Sequence, residues 1–122
     1  MKQIQALIII LLTIPVYNGA AQESVFPKGN KAPNVHHTGD IWLTHIRDAN
    51  ENFDHNVVQA VSAAGSKLDW HFHPKGQQLI ITHGTGYYQE RGKEVQVVRK
   101  GDEIYCLPNV EHWHGATPSS SV

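Results

Sequence analysis

The chain has 122 residues with ten basic and eleven acidic side chains, a formal net charge of −1, and its basic residues are scattered along the sequence. That balance argues against a nucleic-acid face or a membrane-binding patch, and a single cysteine, Cys106, excludes an internal disulfide. Histidine is out of proportion: nine occur, five of them after Asp69, which points to metal or acid–base work.

At the N-terminus, Met1 and Lys2 precede an almost unbroken apolar run over residues 4–16, and Asn18-Gly19-Ala20-Ala21 supplies small residues for a signal peptidase. The run is shorter than the roughly 18–20 apolar residues that span a bilayer. Residues 1–21 therefore read as a secretory signal peptide. The mature protein is expected to be exported, periplasmic or secreted, and to have no membrane association after cleavage.

The remainder of the chain is one domain, since about 100 residues build one core. Residues 22–40 contain Pro27, Gly29, Asn30, Pro33, Asn34 and Gly39 and show no period, as expected of an extended N-terminal arm. Residues 41–122 form the folded domain. Short segments rich in β-branched and aromatic residues read as strands at 41–46, 57–62, 67–72, 78–82, 86–90, 94–98, 103–107 and 111–117. Turn residues stand between them, among them Ala64-Gly65-Ser66, Pro74-Lys75-Gly76, His83-Gly84-Thr85, Arg91-Gly92-Lys93 and Lys100-Gly101-Asp102. No segment holds a helical period, so the fold class is all-β, a sandwich or barrel.

The chemistry lies beside these turns. In His71-Phe72-His73 the two imidazoles stand two residues apart on an expected strand and share a face. Pro74-Lys75-Gly76 then returns the chain and brings Gln77 or Gln78 back beside the pair. If Gln77 faces inward, so do Leu79 and Ile81. The second pair, in His112-Trp113-His114, shares a face by the same alternation. Three imidazoles and one oxygen suit a divalent first-row metal and are too hard a set for copper(I) or an iron–sulfur cluster. His83, at a turn, is expected to be solvated, and His36, His37, His45 and His55, without partners at metal spacing, are expected at the surface. Trp70, Tyr87, Tyr88 and Trp113 read as core or interface aromatics before they read as pocket walls, and Cys106 as a small buried hydrophobe.

Gly65, His71, His73, Gln77 and Gly84 or Gly86, followed by Gly101, Pro108 and His112, resemble the two sequence motifs of the cupin superfamily, with glutamine where glutamate is usual. The resemblance implies a jelly-roll type β-barrel. His71-Phe72-His73-Pro74-Lys75-Gly76-Gln77 and His112-Trp113-His114-Gly115-Ala116 are further similar to the small bacterial cupins that act as manganese-dependent hydroxynitrile lyases. On that likeness His71, His73, Gln77 and His112 bind one divalent metal ion, manganese first with iron, zinc or nickel as alternatives, and His114 transfers a proton. The substrate is a small molecule, and a homodimer is the expected assembly. An iron-dependent dioxygenase and a non-catalytic ligand-binding cupin stand as alternatives. Relatives of this kind continue past the second motif, whereas here Pro118-Ser119-Ser120-Ser121-Val122 comes next. The barrel is therefore expected to lack its C-terminal closing strand, its edge covered by the N-terminal arm or by another subunit unless the sequence is a fragment.

Overall fold

A computed structural model describes residues 24–122, so the signal-peptide reading of residues 1–21 lies outside the described residues. Ten strands and no helix are present among them: β1 Asn30–Lys31, β2 His37–Thr38, β3 Ile41–Arg47, β4 Val57–Ser62, β5 Lys67–Leu68, β6 Gln77–Ile80, β7 Thr85–Glu90, β8 Gln96–Arg99, β9 Glu103–Cys106 and β10 His112–Ala116. They form three antiparallel sheets, in the orders β1-β3-β4, β2-β5-β10-β7-β8 and β6-β9. Among the described residues no continuous ladder joins the three, so the barrel they form is not closed by strand pairing.

The stretch before β3 is not a bare arm. Asn30–Lys31 pairs with β3 and His37–Thr38 with β5. Ahead of β1, Phe26 exchanges hydrogen bonds with the Gln59 side chain, 3.1 Å in both directions, and Thr44 Oγ1 donates to the Pro27 carbonyl at 2.8 Å. At the other end residues 117–122 fold back on the barrel. Ser62 and Val122 exchange backbone hydrogen bonds of 2.8 and 3.1 Å, and the Thr85 amide donates to the Ser121 carbonyl at 3.3 Å. Part of the edge expected to lack a strand is thus covered by the chain's own tail.

Alternation explains the core. On β6, Gln77 and Leu79 turn inward while Gln78 and Ile80 are exposed, and Ile81 joins the inward set. Gln77 lies opposite Cys106 and Leu79 opposite Ile104, and Leu79, Ile81 and Ile104 pack against a buried cluster of Tyr88, Val98 and Cys106. Cys106 is therefore the buried hydrophobe expected of it. Gln78 instead donates to Glu103 on the outer surface.

The expected strand over 67–72 is interrupted. β5 ends at Leu68, and the Asp69 amide turns aside to the His36 carbonyl at 3.0 Å. His71 then pairs with His112 as an isolated bridge, with backbone hydrogen bonds of 2.9 and 2.8 Å. Lys67 opposes Gly115 and His71 opposes His112, so four steps on one side match three on the other. One extra residue in a strand is a β-bulge, which flips the alternation. Gly115 makes the close crossing feasible: a Cβ there would stand 2.4 Å from the Ser66 carbonyl oxygen and 2.7 Å from Lys67 Cα. Any side chain at Gly115 would push β5 away from β10.

Candidate metal centre

Three segments bring the histidines together. β10 carries His112, the bulged segment after β5 carries His71 and His73, and the tight turn at Gly76, with φ of 82°, delivers Gln77. A Cβ on Gly76 would lie 2.7 Å from the Cys106 carbonyl oxygen, so glycine is required there for its backbone angle and for space.

One ligand atom each from His71, His73 and His112 lies within 4.8 Å of the others, a group that can hold a metal ion. The ring centroids are 4.5 Å apart for His71 and His112, 5.2 Å for His71 and His73, and 5.6 Å for His73 and His112. Gln77 Oε1 is 3.4 Å from His112 Nε2, so the amide oxygen stands at the same cluster. His112 is fully buried.

The chain also orients the rings. His71 Nδ1 lies 2.7 Å from the Asp69 carbonyl oxygen and His112 Nδ1 lies 2.9 Å from the Val110 carbonyl oxygen. Nδ1–H donates in each case, which leaves the Nε2 lone pair free, the arrangement typical of metal-binding imidazoles. The Nε2 atoms of His73 and His114 are shielded from solvent and have no hydrogen-bond partner among the described residues. Unsatisfied buried nitrogens on rings that converge fit an electron-pair acceptor between them.

His114 lies next to this group, its ring centroid 5.7 Å from that of His71 and stacked 6.2 Å from His112. Burial, then the neighbouring charges of His71, His112 and His73, push its pKa down to about 3. Burial also lowers His73 and His112, with His71 adding to both shifts. All three rings are thus held neutral, the form that offers a lone pair. The metal-free folded state binds fewer protons than the unfolded chain below the ordinary histidine pKa of 6.5, so stability is full above about 6.5 and falls as pH drops toward 3. Urea midpoints of chelated protein at pH 7.5 and 5.0 test this, and the pH 5.0 midpoint is expected to be the lower.

Tyr88 backs the centre, 1% exposed, with its ring centroid 5.6 Å from that of His112 and its hydroxyl donating to Glu90 Oε1 at 3.3 Å. Burial raises the phenol pKa, with Cys106 and Glu90 adding to it, while the hydrogen bond from Lys93 lowers Glu90. Tyr88 and Glu90 oppose His114 and His112 on β7. Glu90 is a residue that sequence reasoning missed, although its position two residues after Tyr88 on an expected strand places both on one face. Trp70 and Trp113 face outward, packed edge to face at 6.4 Å, with Arg91 stacked 4.0 Å above Trp70 and Lys67 4.9 Å above Trp113. Two expectations for other histidines need correction. His83 is half-buried, with Nε2 3.3 Å from Ser121 Oγ, because the tail folds over its turn. His37 is half-buried with a shielded Nε2, because its strand pairs with β5.

The fold is small and all-β, and its three-histidine group could hold a metal ion. A cupin-like protein from Thermotoga maritima is similar over 81% of this chain and 75% of its own, with a TM-score of 0.76 and 40% identity. This chain belongs to the cupin superfamily. An (R)-mandelonitrile lyase from Granulicella tundricola is 41% identical over 58 residues, 48% of this chain, and the match spans less than half, 44%, of that lyase. No family model matches the sequence.

Proposed function

We propose that this chain is a metal-dependent lyase that cleaves a small hydroxynitrile to an aldehyde and hydrogen cyanide, with His71, His73, Gln77 and His112 holding one manganese ion. The observation that carries the reading is the convergence of three imidazoles and one amide oxygen beside a further imidazole, His114, whose inward nitrogen is unpartnered. The partial likeness to an (R)-mandelonitrile lyase supports the choice of reaction. A divalent ion in such a site acts as a Lewis acid toward a hydroxyl or carbonyl oxygen, more strongly where a neutral amide replaces a carboxylate.

The residues supply the rest. His114 is unprotonated and so open to the hydroxyl proton of the substrate, which the ion's Lewis acidity would make acidic enough to transfer. The carbon–carbon bond to the nitrile breaks, its electron pair leaves with cyanide, and the aldehyde carbonyl forms. His114 then returns the proton to cyanide. Tyr88 and Leu79 help keep the interior apolar, which strengthens electrostatic contacts at the reacting atoms. Export and assembly as a homodimer belong to the same proposal, the first supported by the apolar run and small residues at the N-terminus and the second by the likeness to small cupins. The test is release of benzaldehyde from mandelonitrile by chelated protein before and after manganese is restored. Manganese-dependent release is expected. Release indifferent to chelation, or substrate-dependent oxygen uptake in its place, would overturn the lyase reading.

A further inference from the structure

Four interior imidazoles take part in the proposed reaction, and a fifth does not. His37, on β2, carries an Nε2 that is shielded from solvent and has no hydrogen-bond partner among the described residues. The pairing places this ring. His37 opposes Leu68, while Lys67 opposes Gly115. Continued by one residue, the second register sets Leu68 opposite His114, which itself opposes Tyr88. Residues directly opposite in an antiparallel pair project to one face. Lys67 lies over Trp113 on the outer face, so Leu68 and His37 face the interior. One row across the sheet therefore runs His37, Leu68, His114, Tyr88.

His37 and His114 are two strand spacings apart, about 10 Å between Cα atoms. The side chain between them is apolar. An inward-facing row with a polar group at each end and an apolar middle complements a ligand with an aromatic body and a hydrogen-bonding group at each end. A shielded, unpaired imidazole nitrogen is unfavourable until a ligand atom or water meets it.

We propose that His37 anchors the far end of the substrate, which narrows the substrate class to aryl hydroxynitriles bearing a hydroxyl or similar group opposite the reacting carbon. The identity of the near end rests on the lyase reading. His37 acts as a specificity residue and neither binds the metal nor moves the reacting proton.

The test is equilibrium binding of 4-hydroxybenzaldehyde and benzaldehyde to manganese-loaded protein, with metal content and mandelonitrile turnover measured on the same preparations. The parent is expected to prefer the hydroxylated aldehyde by about 10-fold or more, since a site built to hydrogen-bond a hydroxyl rejects the analogue that lacks it. His37→Phe is expected to bring that ratio near one and to leave metal content unchanged, while His37→Gln, which keeps a polar tip, retains part of the preference. A ratio near one in the parent, or an unchanged ratio in His37→Phe, overturns the anchor. If His37→Phe does not fold, the comparison of parent and His37→Gln decides. A parent that shows the preference but does not turn over mandelonitrile defeats the lyase reading and leaves the anchor standing. Turnover without the preference defeats the anchor alone.

Discussion

His112→Ala is expected to lose bound metal and turnover together, with metal affinity reduced by at least ~100-fold. The side chain is fully buried, its Nδ1 is held by the Val110 carbonyl oxygen, and its Nε2 is 3.4 Å from Gln77 Oε1. Loss of groups that only orient a metal ligand typically costs 10–100-fold in affinity or activity, so loss of a ligand is expected to cost more. Isothermal titration with manganese and a rate assay on the same sample check this. Intact metal affinity in His112→Ala would remove this residue from the centre.

His114→Ala is expected to separate the two properties. It shares the inward face of β10 with His112, but the atom that marks it is an unpartnered nitrogen outside the three-histidine group. As a proton-transfer group it is worth roughly 10²–10⁴-fold in rate. Metal content near that of the parent, with kcat reduced by that range, is the expected result. Metal loss as complete as in His112→Ala would make His114 a ligand. Full rate would make it a bystander and leave the mechanism without its base.

The fold class was legible because alternation and turn chemistry agree over most of the chain. β4 runs over the expected residues, and β3, β7 and β9 differ from expectation by one residue. Gln77 was distinguishable from Gln78 by the same logic, since Leu79 and Ile81 could only be buried together on the side that carries Gln77. The shared face of His71 and His73 was also legible from their spacing.

The bulge after β5 was not. Period-2 reasoning carried on from Lys67 would send Leu68 and His71 to opposite faces, and only the pairing across β10 reveals the extra residue that puts both inside. His37 was missed for a related reason. Its strand has two residues, too few for any period to register, and its burial comes from a partner about thirty residues along the chain. The burial of His83 depends on the tail at Ser121, another long-range contact that local sequence does not encode.

The central claim is that His71, His73, Gln77 and His112 form one metal site. Elemental analysis of protein purified without a histidine tag and without chelator tests it most directly, on the parent and on His71→Ala side by side. The account predicts close to one manganese per chain in the parent and little in the variant. A parent that carries no divalent metal and takes up none when manganese, iron or zinc is supplied would contradict it.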